Sequence, residues 1–207
     1  MGKKKVLAFG VDPDEAKYRL RLARYPALVA STRKCLESFG GQPAGAAGEK
    51  YPLLDVGVGH GRTFKYLEVA GIANKFSWHG IDITHRSPEV LSGGETWAFK
   101  QANVEEGVPF EDGYFSIVVA EQILEHLHDV DFALSELSRV TRAGGYLIIG
   151  VPVFTCPVAS LRNLYIRRLP GLFERSGSGH VQSFCKESII RRMCGSRRNT
   201  LVPAFES

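Results

Sequence analysis

A chain of 207 residues, 44% hydrophobic and 23% charged, has an ordinary soluble globular composition and length enough for one domain with both faces of a sheet covered. Its formal net charge of +4 is mild, and no apolar run approaches a membrane span. The charge is uneven, however. Residues 104–137 hold nine Asp or Glu and no Lys or Arg, whereas residues 162–198 hold nine Lys or Arg against Glu174 and Glu187. A solvated cationic surface accounts for the basic stretch; a phosphate or an acidic partner is the alternative.

Lys3-Lys4-Lys5 followed by Val6–Val11 has the outline of a signal peptide, but Asp12, Asp14 and Glu15 cut the apolar run short. The expected location is cytoplasmic. Cys35, Cys156, Cys185 and Cys194 form no Cys-x-x-Cys pair and no metal-type spacing with His. Four scattered thiols fit a reduced interior, and no bound metal is expected.

In chain order, residues 14–38 read as a helix with apolar faces between Arg and Lys. A Gly- and Ala-rich loop (residues 40–48) follows and separates this N-terminal segment, 1–48, from a sheet domain, 49–207. Leu53–Val56 reads as the first strand, Arg62–Ala70 as a helix closed by Gly71, and Phe76–Ile83 as the second strand. Trp97–Ala102 is the third strand, after a loop containing Gly93-Gly94, and Phe115–Ala120 is the fourth. Asp129 caps a helix whose buried stripe is Val130, Ala133, Leu134, Leu137 and Val140. Ala143-Gly144-Gly145 is expected to end that helix, and Tyr146–Val151 to be the fifth strand. Apolar strands alternating with amphipathic helices predict an α/β fold, a parallel sheet covered on both faces.

Ligands of such sheets bind where loops leave the carboxyl ends of the strands. The first strand ends in Asp55-Val56-Gly57-Val58-Gly59-His60-Gly61, glycines at every second position that let the chain turn sharply with its backbone bare. The second ends at Asp82, whose carboxylate can accept hydrogen bonds from a ribose diol. The third ends at Gln101-Ala102-Asn103-Val104, where an amide and a backbone N–H can read an adenine edge. The fourth ends at Glu121-Gln122-Ile123-Leu124-Glu125-His126.

These segments resemble the class I S-adenosylmethionine-dependent methyltransferases, particularly the branch acting on small molecules. The resemblance covers roughly residues 50–152. It rests on the Leu54–Gly61 loop, Gly80-Ile81-Asp82, Val108–Phe115, Leu124-Glu125-His126-Leu127 and Leu137–Tyr146, with a fainter echo at His180-Val181-Gln182-Ser183-Phe184. It implies a Rossmann-like doubly wound, mainly parallel sheet with an N-terminal helix, and S-adenosylmethionine as methyl donor. By the same resemblance, the backbone of Val56, Gly57, Val58, Gly59 and Gly61 approaches the methionine part, with Asp55 near its ammonium group. Asp82 and Ile83 meet the ribose, and Asn103 with the Val104 N–H meets the adenine. Glu121 and Gln122 line the pocket where the methyl group faces a small-molecule acceptor, and residues 152–182 form a substrate-side insert. His126, His180 and Glu121 are the candidate catalytic groups, and His128 is a weaker one.

Three departures stand out. Asn103 replaces the family's usual Asp. Ser116 replaces the Asp of a Phe-Asp strand opening. Residues 194–207 leave room for one short closing strand, so the fifth strand is expected to be a poorly covered edge on which a homodimer could form. Tyr18, Tyr51, Phe154 and Tyr165 are expected to pack in the core rather than cover a substrate. The alternatives weighed are a non-catalytic cofactor- or partner-binding module and a nicotinamide-dependent oxidoreductase, whose Gly-x-Gly-x-x-Gly spacing differs from that of Gly57-x-Gly59-x-Gly61. Nucleic-acid methylation is the weaker alternative, because Ala120-Glu121-Gln122 stands where amino-directed enzymes carry Asn/Asp-Pro-Pro-aromatic. Thr155-Cys156-Pro157 resembles a cytosine-C5 nucleophile motif but falls beyond the fifth strand.

Overall fold

The computed structural model describes residues 16–40, 50–59, 61–84, 97–168 and 179–195, with side chains in the first stretch from Arg24 onward. Expectations for the Lys3–Val11 segment, the loop after Gly40, His60, Gly93-Gly94 and residues 196–207 lie outside these residues. In chain order the elements are α1 (Ala16–Ser38), β1 (Tyr51–Val56), α2 (Arg62–Val69), β2 (Phe76–Asp82), β3 (Ala98–Gln101) and β4 (Phe115–Glu121). They continue with α3 (Val130–Val140), β5 (Thr141–Gly150), β6 (Val153–Phe154), α4 (Cys156–Arg168), β7 (Phe184–Cys185) and α5 (Lys186–Gly195). Strands β1 to β5 form one sheet in the order β3-β2-β1-β4-β5, with every pairing parallel. Strands β6 and β7 pair separately.

Period-two alternation assigns each side chain to a layer. Leu54, Val56, Val118, Ala120, Leu147 and Ile149 face one layer, where the α3 stripe Val130, Ala133, Leu134, Leu137 and Val140 packs with Ile189 and Met193 of α5. Leu53, Trp78, Ile117, Val119 and Ile148 face the other, against Phe64 and Leu67 of α2 and Tyr25, Leu28 and Cys35 of α1. Asp55 shares the parity of Leu53, and Glu121 that of Val119. The sheet therefore turns both acids toward the α1/α2 layer at adjacent strand ends. Because β2 and β4 flank β1 on opposite sides, the topological switch point, where such sheets bind ligands, lies between β1 and β4.

The helix before the fifth strand ends earlier than the glycine pair suggested. α3 stops at Val140, and Thr141 already belongs to β5. The Thr141 hydroxyl donates to Leu137 O at 2.6 Å, satisfying a terminal carbonyl of the helix. Ala143-Gly144-Gly145 lies inside the strand, where the register shifts between Phe115 and Ile117 and Gly144 takes φ 72°. Gly145 has no room for a side chain: a Cβ there would stand 2.9 Å from Ser116 O. These glycines build a bulge rather than a helix stop.

The thiols differ from the four free cysteines expected of a reduced interior. Cys156 at the start of α4 and Cys185 at the end of β7 form a disulfide, leaving Cys35 buried and Cys194 exposed as free cysteines. Their separation of 29 residues carries no local signal; the pairing of β6 with β7 brings them together. A bonded Cys156 is not a nucleophile, which removes the Thr155-Cys156-Pro157 reading. No helix among the described residues is long and apolar enough to cross a membrane.

Candidate functional site at the switch point

A cavity of about 230 Å³ opens where β1 and β4 part, lined by Arg24, Asp55, Gly57, Thr63, Glu121 and Gln122 among others. Its floor is the loop after β1. Gly57, Gly59 and Gly61 all take left-handed backbone, at φ 71°, 51° and 65°. The Gly57 and Val58 N–H groups donate to Ile81 O, at 2.8 and 3.3 Å, folding the loop back over β2. Gly57 also lacks space, since a Cβ there would collide with Ile123 Cδ1. Glycine is required at that position on two counts.

Asp55 is 2% exposed. The Thr63 hydroxyl donates to its Oδ1 at 3.1 Å, whereas Oδ2 has no partner. Burial pushes its carboxyl up to about 7, against the opposing pull of the Thr63 hydrogen bond. Glu121 is likewise pushed up to about 7 by burial, although Arg24 opposes the shift. Arg24 Nε stands 3.1 Å from Glu121 Oε1, so α1 delivers a cation to the end of β4. Tyr25 beside it stacks on Tyr66 of α2, with centroids 3.9 Å apart, fixing α1 over the cavity. Gly150 leaves the space that the Glu121 carboxylate occupies; a Cβ there would overlap it. Among the described residues Gln122 is the non-glycine residue with positive φ (57°), and its N–H donates to Gly150 O at 2.7 Å. Backbone strain of this kind, on the order of 1–3 kcal/mol, concentrates at functional sites.

Asp82 sits beside this loop. Its Oδ2 accepts from Gly59 N–H at 2.9 Å, and its Oδ1 accepts from the Thr84 N–H and hydroxyl. Ile83 is exposed at the strand end. Val56 and Val104 place their side chains in the core, leaving backbone groups for any ligand. The Asn103 side chain is engaged locally: its Nδ2 donates to Glu106 Oε1 at 3.0 Å, and its Oδ1 accepts from Glu105 N–H. Tyr51 stacks on Phe39 as expected of core packing, but Tyr165 is exposed.

The two candidate histidines lie outside the glycine-loop cavity. His126 and His180 meet edge to face, with centroids 4.8 Å apart, and His180 helps line a second cavity of about 520 Å³ with Leu127, His128, Asn163 and Gln182. Asn163 of α4 clamps Ser183 at both backbone groups, 2.9 and 2.7 Å, which ties the 179–183 segment to α4. Arg24, Tyr25, Arg62, Thr63 and Ile123 also line the switch-point cavity and were not singled out in the sequence. Thr63 had a signal, a hydroxyl in the first turn of the helix after the loop; Arg24 had none.

Residues 54–149 match the methyltransferase-domain family. The parallel sheet and the switch-point loop agree with that match over this part of the chain. The chain is 28% identical over 174 residues to an uncharacterised 37.1 kDa protein of a Streptomyces fradiae transposon, covering 80% of this chain and 48% of that one. It is 27% identical over 140 residues to a sarcosine/dimethylglycine N-methyltransferase of Halorhodospira halochloris, covering 61% and 46% of the two chains. The YcgJ protein of Bacillus subtilis superposes with a TM-score of 0.60 at 22% identity, over 84% of this chain and 68% of that one. The chain thus spans about half the length of these curated relatives.

Proposed function

We propose that the chain transfers a methyl group from S-adenosylmethionine to a small organic acceptor at O, N or C. The observation that carries this reading is the switch-point cavity, where the left-handed Gly57 and Gly59, Asp55 and Glu121 form one wall. The residues fit the donor. Asp55 Oδ2 is buried in that wall without a partner, which suits an ammonium group. The bare glycine backbone admits close approach of the methionine part. At about 230 Å³ the cavity falls below the roughly 300–1,000 Å³ of small-molecule sites. A bound donor would need more room than this, and Arg24, paired with Glu121, lines the space it would take.

Val56, Gly57, Val58, Gly59 and Gly61 then hold the amino-acid end, with Asp55 on its ammonium. Asp82, with Ile83 beside it, keeps Gly59 N–H and gains the ribose hydroxyls. Asn103 and the Val104 N–H meet the adenine once Asn103 releases Glu106. The bound sulfonium supplies a methyl group that is already activated. The chain's contribution is alignment for in-line displacement, up to about 7–11 kcal/mol at the limit of effective molarity. Glu121, held near neutrality and lining the same cavity as Gln122, takes the proton from an acceptor that must lose one, for about 10²–10⁴-fold of rate. His126 and His180 stand farther out, on the acceptor side. The name of the Halorhodospira halochloris relative supports a small acceptor, and the second cavity, walled by α4 and the 179–182 segment, gives such a molecule a place.

The test is release of S-adenosylhomocysteine from S-adenosylmethionine across a panel of small amines, carboxylic acids and phenols. Turnover that drops about 10²-fold or more in Glu121→Gln supports the assignment. Cofactor binding without turnover on any acceptor turns the reading to a non-catalytic module, and absence of both overturns it.

A further inference from the structure

Beyond the donor site, we propose that Glu125, His126 and His180 bind a divalent transition-metal ion of the zinc type. One potential ligand atom from each lies within 4.8 Å of the others. Glu125 provides the strongest reason. It is 1% exposed, and neither carboxylate oxygen has a hydrogen-bond partner. A buried acid without a hydrogen bond is costly, on the order of several kcal/mol. His180 Nε2 is 4.0 Å from Glu125 Oε1, too far for a hydrogen bond.

The framework around the three groups is built. Glu125 O accepts from the Val181 and Gln182 N–H groups at 2.9 and 3.3 Å, and the Gln182 side chain donates to Leu127 O. These bonds zip the 124–127 turn to the 179–182 segment and bring residues far apart in sequence to one place. His126 Nδ1 is 3.0 Å from Gly179 O. A carbonyl only accepts, so Nδ1 carries the proton and Nε2 keeps its lone pair. That is the tautomer of a metal-bound imidazole oriented by a backbone carbonyl.

Two imidazoles and one carboxylate match a zinc-type set with a fourth position left open. Nitrogen donors favour such ions over magnesium or calcium. Ligand atoms about 2.0–2.2 Å from a tetrahedral ion stand roughly 3.4 Å apart, so binding draws the three side chains inward by about an ångström. Among the described residues the other grouping of potential ligands, Cys156, Cys185 and Glu187, has its two sulfurs tied in the disulfide.

The experiment uses the whole chain without S-adenosylmethionine, so its outcome is separable from that of the donor site. Protein stripped with a chelator is equilibrated with Zn²⁺ alone; retained metal is measured by mass spectrometry, and affinity by competition with a zinc indicator. The expected result is a single ion per chain. Glu125→Gln and His180→Ala should each weaken binding by at least about 100-fold, the upper end of what loss of a supporting group costs, and His79→Ala on a separate strand should leave it unchanged. Co²⁺ should give a visible d–d spectrum that His180→Ala abolishes. Because His180 is only part-buried, that variant decides the matter even where Glu125→Gln misfolds. No retained ion, or retention undiminished by His180→Ala, overturns the proposal.

Discussion

The floor of the switch-point cavity makes a quantitative demand on Gly57. Substitution by Ala places an L side chain at φ 71°, which costs about 1 kcal/mol of backbone strain. The new Cβ also overlaps Ile123 Cδ1, so Ile123 must leave its seat against the layer that includes Leu54 and Val118, at about 1–2 kcal/mol for a half-buried side chain. Gly57→Ala should therefore destabilise the domain by about 2–3 kcal/mol, measured by urea unfolding with far-UV circular dichroism. The two causes separate in a double-mutant cycle. In an Ile123→Ala background the collision is gone, and Gly57→Ala should cost only the backbone portion of about 1 kcal/mol. The coupling is thus about 1–2 kcal/mol, well above the ~0.3–0.5 kcal/mol scatter of independent sites. Additive effects, or a Gly57→Ala cost below about 0.5 kcal/mol, would refute the view that the loop is pinned between its own backbone and Ile123.

Asp55 predicts a pH dependence. Its carboxyl sits at about 7 in the fold against an ordinary 3.8, so the folded state holds the extra proton. Its contribution is full below about pH 4 and is lost as pH rises toward 7. Asp55→Asn should flatten the fall in stability between pH 5 and 7 by up to about 1.4 kcal/mol per pH unit, and an unchanged slope in the variant would contradict it. Arg24→Ala should remove the cation that opposes the Glu121 shift and cost about 1 kcal/mol, discounted for partial exposure; a stability change within error would mean that the pair contributes nothing. Thiol titration of the native chain should find Cys194 reactive and Cys35 silent until unfolding, because burial pushes the Cys35 thiol up to about 12. Two further thiols should appear only after reduction, and four thiols in unreduced protein would rule out the Cys156–Cys185 bond.

Local periodicity explains what the sequence revealed. Every member of the α3 stripe from Val130 to Val140 is buried, because a helix repeat decides its own face. The glycine spacing and the acids at strand ends were equally legible, since each reflects one turn of chain. The start of β5 was not. Gly144-Gly145 carries the same local mark whether it stops a helix or makes a bulge, and only pairing with β4 selects the bulge. Arg24 and the Cys156–Cys185 bond depend on where α1 and α4 pack, which no short window encodes. Asn103 follows the end of β3, and its engagement with Glu106 depends on the turn it belongs to.

The measurement that bears most directly on the donor site is calorimetric titration of the chain with S-adenosylhomocysteine, repeated on Asp82→Ala. Asp82 binds Gly59 N–H and, in this account, the ribose hydroxyls. The account predicts stoichiometric sub-millimolar binding that weakens by about 10–100-fold in the variant, the loss of about 1.5–3 kcal/mol of charge-assisted hydrogen bonding. Absence of binding at millimolar ligand, or equal affinity in the two proteins, would contradict it.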